Sequence, residues 1–258
     1  MKKKQAEEVA ILAGRKPVRE AVETSQPIEK IWLLKTAHGE EIDKIRGMAS
    51  RRSIPLQHVP SQRLDRLAPG VNHQGVVATV SPIEYLSIDD LLASIGGTWG
   101  EVQDRKPVLL VLDQIEDPHN VGAMLRSACA VGAAGVIVTA RKMAPINAAT
   151  MKASAGAARR VPIARTSDLA ETLYQLKERG YWIVGADHRG EATHWEAGWE
   201  KPVVIVMGSE QQGIRPAVLA KCDQRVAIPM PGDIESLNVS VAAALLLFEA
   251  ARARHQVH

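Results

Sequence analysis

Aromatic side chains are scarce: 3% of 258 residues, five Trp, three Tyr and a single Phe. A surface that stacks successive bases on rings, as single-stranded RNA binders do, is therefore not expected. Cysteine is limited to Cys129 and Cys222, with no Cys-x-x-Cys and no Cys/His spacing. Neither a disulfide framework nor a zinc site is encoded, and both read as reduced, small core residues of a cytosolic protein. His119, His188 and His194 lack a His-Glu-x-x-His pattern, so no metal is expected. Long hydrophobic runs are missing too. Val239–Phe248 is too short to cross a bilayer, and Met1-Lys2-Lys3-Lys4 is not followed by the apolar run of a signal peptide. The expectation is a soluble, cytoplasmic protein. No Gly-x-Gly-x-x-Gly follows the first strand of the larger region, and no phosphate-loop or Gly-x-Ser-x-Gly motif occurs. That argues against dinucleotide, nucleoside-triphosphate and serine-hydrolase chemistry.

Hydrophobic residues make up 46% and charged residues 24%. This suits one large domain, or a medium domain joined to a small one. The net charge of +3 is small but uneven: residues 1–82 hold 14 Lys and Arg against 9 Asp and Glu, and residues 83–258 hold 18 against 20. A positive amino-terminal third suits a polyanion, with counterion release supplying affinity. Charge alone weighs that equally against a merely solvated surface.

The amino-terminal third alternates helix and strand. Helices are predicted over Lys16–Thr24, Glu40–Ser53 and Ser61–Leu67, the second with Ile42, Ile45, Met48 and Ala49 on one face. Strands are predicted over Lys30–Thr36, Pro55–Pro60 and Gly75–Val80. This is a small α/β unit. Arg15, Arg51, Arg52, Arg63 and Arg66, with the turn Asn72-His73-Gln74-Gly75, are its candidate contacts to a polyanion. Residues 83–106 read as a linker: one helical piece, Ile88–Ile95, then Gly96-Gly97-Thr98-Trp99-Gly100 and a charged run. The expected division is 1–82, linker 83–106, and 107–258.

Beyond Pro107 the signal strengthens. Val108–Asp113 is apolar without alternation, as in strands buried on both faces of a parallel sheet. Further strands are predicted over Val136–Ala140, Arg160–Ala164, Tyr181–Ala186, Val203–Met207 and Arg225–Pro229. Helices are predicted over Asn120–Gly132 with Asn120 at or near the N-cap, a short one over 146–153, Ser167–Gly180 capped by Ser167, and Leu237–Arg254. The repetition means an α/β fold with an open, mostly parallel sheet and helices on both faces.

Ligands of such sheets bind outside the carboxyl ends of the strands, and three loops there carry candidate chemistry. The first runs from Asp117-Pro118-His119-Asn120-Val121-Gly122 to Arg126. The second is Gly208-Ser209-Glu210-Gln211-Gln212-Gly213, whose glycines permit positive φ and close approach. The third runs from Ile228-Pro229-Met230-Pro231-Gly232 to Ser236-Leu237-Asn238-Val239, where two prolines remove donors and force a turn. Each has a plainer reading: an N-cap with a surface arginine, a glutamate ahead of a helix starting at Arg215-Pro216, and a cap at Ser236 with Asn238 one turn inside.

Together and in this order, the loops resemble the three motifs of the SpoU/TrmH family in the SPOUT superfamily, RNA ribose 2′-O-methyltransferases. The likeness covers residues 107–254 and is closest to the RlmB-type members, which add a small RNA-binding domain like a ribosomal protein. Gln211 stands where the family pattern has glycine. The resemblance implies a deep trefoil knot in the sheet domain, S-adenosylmethionine (SAM) as cofactor, and a homodimer with the last helix at its interface. It implies a substrate ribose, that of a guanosine, in large-subunit ribosomal RNA. A transfer-RNA enzyme and a catalytically silent RNA-binding assembly factor are the alternatives. It implies Arg126, Asn120, Glu210, Ser236 and Asn238 as catalytic residues, with Arg126 also touching RNA. Thr139, Met207, Gly208, Glu210, Gly213, Ile228, Met230, Leu237, Asn238 and Val239 would hold the cofactor. Guanidinium does not deprotonate in proteins, so Arg126 is expected to hold a phosphate and stabilise alkoxide charge rather than act as a base.

Overall fold

The structure is a computed structural model and describes residues 10–255. It divides into two units, Met1–Glu84 with Pro145–Ala148, and Tyr85–Ala144 with Ala149–His258. The smaller holds β1 (Ile11–Ala13), α1 (Arg15–Glu23), β2 (Ile28–Leu34), α2 (Glu40–Arg51), β3 (Leu56–Val59), α3 (Ser61–Leu67) and β4 (Val76–Val80). Its sheet order is β1-β4-β2-β3, with β2 and β3 parallel and the other pairs antiparallel. α1 and α2 bury Val18, Val22, Ile42 and Ile45 against Ile31 and Leu33 on one face. α3 inserts Leu64 against Val59 and Val77, beside half-buried Trp32.

The larger unit holds α4 (Ile88–Ile95), α5 (Trp99–Arg105), β5 (Val108–Asp113), α6 (Pro118–Ala130), β6 (Gly135–Thr139), α7 (Ala148–Ala153), β7 (Ile163–Thr166) and α8 (Leu169–Glu178). It continues with β8 (Trp182–Ala186), β9 (Ala192–Thr193), β10 (Val203–Gly208), α9 (Pro216–Leu219), β11 (Gln224–Ala227) and α10 (Val239–His255). The sheet order is β7-β6-β5-β10-β8-β11-β9, parallel at every pairing. All six residues of β5 and of β10 are buried. Strands covered on both faces need no polar side and so show no alternation. α4, α5, α8 and α9 cover one face through Leu92, Val102, Leu173 and Val218. On the other, α6 and α10 pack together and α10 lies on β10.

Several expectations are corrected. The linker over 83–106 carries two helices: α4 contributes Leu91, Leu92 and Ile95 to the core, and α5 replaces the expected turn. The reason is a capping box, in which the Thr98 side chain accepts from Glu101 N and the Glu101 carboxylate from Thr98 N, starting a helix directly after two glycines. α6 starts at Pro118 rather than Asn120, because Asp117 is the cap and accepts from His119 N at 2.9 Å. α8 is capped by Asp168 rather than Ser167. The strand expected over Arg160–Ala164 lies at Ile163–Thr166, since Ala157–Arg159 forms a 3-10 turn first. Ser236 does not cap α10. Asn238 does, with its Oδ1 accepting from Ser240 N at 2.9 Å.

Candidate active site

β5 and β10 are neighbours, with Gly208 opposite Asp113 in the register, so two loops leave the sheet side by side. In the first, the Asp117 cap and Pro118 at the helix start turn Asn120 inward, where it is 9% exposed. In the second, Ser209 and Gly213 exchange main-chain hydrogen bonds of 3.1 and 2.9 Å, with Gly213 at φ +65°. This closes a tight loop and leaves Glu210, Gln211 and Gln212 exposed at its tip. Only glycine fits at 208: a Cβ there would sit 2.1 Å from the carbonyl carbon of Gly213 and from Ile214 N. The third loop joins β11 to α10. Among the described residues, no main-chain group from Pro229 to Leu237 is hydrogen-bonded to another main-chain group.

Side chains from all three loops meet. Asn120 Nδ2 donates to Glu210 Oε1, and Asn238 Nδ2 donates to Asn120 Oδ1 at 3.1 Å. Asn238 Oδ1 accepts from Ser240 N at 2.9 Å and from Ser240 Oγ at 2.6 Å. The direction of the chain is determined by chemistry. The Ser240 N–H only donates, which fixes Asn238 Oδ1 toward it. The Asn238 amide nitrogen therefore faces Asn120 Oδ1, and Asn120 is left with its own nitrogen for the carboxylate. Asn120 is the hub, joined to residues 90 and 118 positions away in the chain.

A second link supports the first, and sequence reasoning missed it. Asp113, with no solvent exposure, accepts from Arg215 N at 3.0 Å and Arg215 Nε at 2.8 Å, and lies 2.7 Å from Nη2. A buried carboxylate needs such partners. The pair ties the end of the Glu210 loop to the end of β5. A wholly apolar strand ending in Asp is the one local signal for it.

The other expected residues are placed as follows. Met207 and Gly208 are buried at the end of β10, and Thr139 is buried at the end of β6, donating to Arg141 O at 3.1 Å. Ile228, Met230 and Leu237 are half-buried and Val239 begins α10. Two catalytic expectations do not join the hydrogen-bonded chain. Ser236 and Arg126 are exposed, with no side-chain hydrogen bond among the described residues. Six helical positions from Asn120, Arg126 is about 120° short of two turns and about 9 Å along the axis.

In the smaller unit, Arg15, Gln74 and Gly75 line a cavity of about 490 Å³ together with Thr36 and His38. Arg15 Nε donates to Gln74 O at 3.2 Å, and Asn72 Oδ1 accepts from Gln74 N at 3.3 Å. His73 contacts Asp65 at 3.1 Å. Arg52 donates to Val22 O at 2.8 Å and Gln26 O at 3.2 Å, so its guanidinium is engaged in closing α1. Arg51, Arg63 and Arg66 are exposed or at the surface edge, Arg63 lying 5.3 Å over the Trp32 ring.

Burial pushes the Cys222 thiol up to about 12, and likewise the Tyr181 hydroxyl up to about 12. Neither is an ionised nucleophile near neutral pH. No group of three His, Cys, Asp or Glu able to hold a metal occurs among the described residues, and no helix among them is long and apolar enough to cross a membrane.

A parallel sheet with three loops converging at its carboxyl ends defines a ligand-binding α/β unit. Residues 107–248 match the model of the SpoU rRNA Methylase family, and residues 11–86 match that of RNA 2'-O ribose methyltransferase substrate binding. The chain belongs to the SpoU family, as a SAM-dependent RNA ribose 2′-O-methyltransferase carrying an amino-terminal substrate-binding unit. It is 37% identical to the Bacillus subtilis protein named "Putative TrmH family tRNA/rRNA methyltransferase YacO", over 95% of this chain and 96% of that one. Among solved structures, it is similar to the SpoU methyltransferase AviRb from Streptomyces viridochromogenes in complex with the cofactor AdoMet. That match has 25% identity and a TM-score of 0.59, covering 95% of this chain and 90% of that one. The A. aeolicus TrmH/SpoU tRNA modifying enzyme matches with 29% identity and a TM-score of 0.54, over 66% of this chain and 83% of its own.

Proposed function

We propose that the protein methylates the 2′-hydroxyl of a guanosine ribose in large-subunit ribosomal RNA, and does so as a homodimer. The observation that carries the site assignment is the hydrogen-bonded chain Glu210–Asn120–Asn238, which joins three loops otherwise remote in sequence. Ribosomal rather than transfer RNA is supported by coverage. The tRNA-modifying relative matches 66% of this chain, and this chain has a substrate-binding match over residues 11–86.

The loop chemistry fits SAM. Half-buried Ile228, Met230 and Leu237 offer apolar surface for an adenine, and the unpaired main chain from Pro229 to Leu237 offers donors and acceptors. Thr139, Met207, Gly208, Gly213 and Val239 complete that wall in the proposal. When bound, the cofactor supplies a methyl group on a sulfonium. The residues' work is then positioning, which can supply roughly 7–11 kcal/mol of a barrier. Asn120 and Asn238 hold one another and Glu210 in a single geometry, and Ser236 lines the approach of the ribose. Arg126, exposed and free of ion pairs among the described residues, holds the phosphate beside the target and stabilises negative charge growing on the 2′-oxygen. A trefoil knot threading the carboxy-terminal segment belongs to this proposal as well.

The dimer rests on α10. Its inward side buries Ala243, Leu246, Leu247 and Ala250, yet Val241, Leu245 and Phe248 remain 47%, 42% and 55% exposed. Their spacing of four and three residues places them on one outer stripe. Sedimentation of the purified protein as a monomer at micromolar concentration would refute that part. For the reaction, Arg126→Ala is expected to lose methyl transfer while keeping SAM affinity by calorimetry. A normally methylating variant would remove Arg126 from the mechanism. Mapping 2′-O-methyl groups in ribosomal and transfer RNA from a deletion strain decides the substrate.

A further inference from the structure

Charge in the larger unit is segregated, and the average hides it. From Pro118 to Ser167 there are seven Lys and Arg and no Asp or Glu, whereas the rest of 83–258 holds 11 against 20. Arg165 is buried, 3.4 Å over the Tyr85 ring. The other six, Arg126, Arg141, Lys142, Lys152, Arg159 and Arg160, are all exposed, and none is in an ion pair among the described residues.

The fold gathers their elements on one flank. α6 packs on α7 so closely that a Cβ at Gly122 would lie 2.4 Å from Ala153 Cβ. α6 also packs against the Ala157–Arg159 turn. Arg141 and Lys142 follow Thr139 at the carboxyl end of β6, the strand next to β5. The flank therefore starts beside the candidate active site and runs away from it.

The smaller unit, where the positive excess first drew attention, leaves Lys35, Arg51, Arg63 and Arg66 exposed and outside ion pairs among the described residues, but engages most of its other cations. Lys16 pairs with Glu20, Arg19 with Glu23 and Glu41, Lys44 with Glu40 and Arg46 with Asp43. The guanidinium groups of Arg15 and Arg52 are given to main-chain carbonyls.

We infer that the α6–α7 flank of the methyltransferase unit is the main phosphate-binding face for the RNA substrate, reading backbone charge rather than base sequence. Six exposed cations with no acidic residue among them form a one-signed field that attracts a polyanion and releases its counterions. The inference rests on the RNA-methylating reading and specifies how that substrate is held.

The test is the salt dependence of binding to a fluorescein-labelled RNA hairpin of mixed sequence, by anisotropy, between 50 and 200 mM KCl. The variant is the full chain carrying Lys152→Gln, Arg159→Gln and Arg160→Gln. Each lost phosphate contact lowers the slope of log K against log salt by about 0.7–0.9, so the triple variant loses about 2 to 3. Its affinity then falls across that range by roughly 20- to 40-fold less than that of the unaltered protein. The pair Arg141→Gln and Lys142→Gln, on a separate loop, loses about 1.4–1.8 and covers the case of a triple variant that does not fold. Lys16→Gln, Lys44→Gln and Arg46→Gln together change the slope by less than half as much as the flank triple. An unchanged slope in the flank variants, or an equal loss in the amino-terminal one, overturns the inference. The heat of SAM binding separates the two readings. If the flank variants flatten the slope in a protein that takes up no SAM, the methyltransferase reading fails and this one stands. If SAM binds normally and the slope does not move, only this one fails. An unaltered protein that ignores the hairpin at 50 mM KCl sinks both.

Discussion

Arg215→Ala strikes the support of the site rather than the site. It removes Nε and Nη2 from a carboxylate with no solvent exposure and leaves it the main-chain N–H of residue 215, which alanine keeps. Breaking a buried ion pair on one side typically costs about 3–5 kcal/mol, because the remaining charge is stranded. Here the retained N–H and the 39% exposure of the Arg215 side chain let water approach, so the expected loss is about 2–3 kcal/mol. In a unit of this size each kcal/mol moves the melting temperature by about 2–4 °C, so the transition should fall by about 4–12 °C. The assay is thermal unfolding by circular dichroism, repeated for Asp113→Asn and for the double variant. With Asp113→Asn in place no charge is stranded, and the cycle should return a coupling of about 1–3 kcal/mol. SAM affinity should fall by about tenfold or more, equivalent to about 1.4 kcal/mol, because the Glu210 loop loses its anchor. A melting shift below about 2 °C with unchanged SAM binding would show that the Asp113–Arg215 link does not hold the loop.

Three other outcomes are expected. Asn120→Asp sets a carboxylate against that of Glu210 and should reduce methyl transfer by about a hundredfold, read as tritium incorporation, with a melting temperature that stays within a few degrees of the original. Gly208→Ala forces a Cβ into the main chain of Gly213 and Ile214; SAM binding should vanish in calorimetry, and binding of normal strength would mean that the loop is pliable. The third concerns alkaline pH. Burial makes Cys222 hold its proton up to about 12 when folded, against 9.0 for a free thiol. Above pH 9 the unfolded chain therefore binds fewer protons than the native one, and stability falls with rising pH. The loss at pH 10 is about 1.4 kcal/mol. Cys222→Ala should melt with a shallower decline between pH 9 and 10 than the unaltered protein, and parallel declines would contradict the burial argument.

How much of this was legible in the sequence varies with range. Strands such as Val108–Asp113 and Val203–Met207 are unbroken runs of branched apolar residues, and burial on both faces of a parallel sheet leaves that mark directly. Caps were legible to within a few residues and no better. Asp117 and Asn120, Ser167 and Asp168, Ser236 and Asn238 are each two competent capping groups close together, and only the backbone path decides which oxygen meets the amide. α5 was hidden by Gly96 and Gly97, whose turn signal outweighed the Thr98–Glu101 box. β1, three residues long, offers too few positions for a period, and it exists because β4 provides an edge. The Asp113–Arg215 link spans 102 positions and has no local pattern. The meeting of Asn120 with Glu210 and Asn238 was expected only through the resemblance, because the spacing of Asn120 and Arg126 by itself suited a cap and a surface arginine.

The distance along the chain between Asn120 and Asn238 has a consequence in time. A ribosome adding about 5–20 residues per second needs roughly 6–24 s to make the 118 residues between them. During that interval the early loop has emerged without Asn238, and for most of it β10, which must slot between β5 and β8, does not yet exist. A nascent chain at that stage lacks the hydrogen-bonded chain Glu210–Asn120–Asn238. That chain closes only near the end of synthesis, when the start of the final helix supplies the last amide.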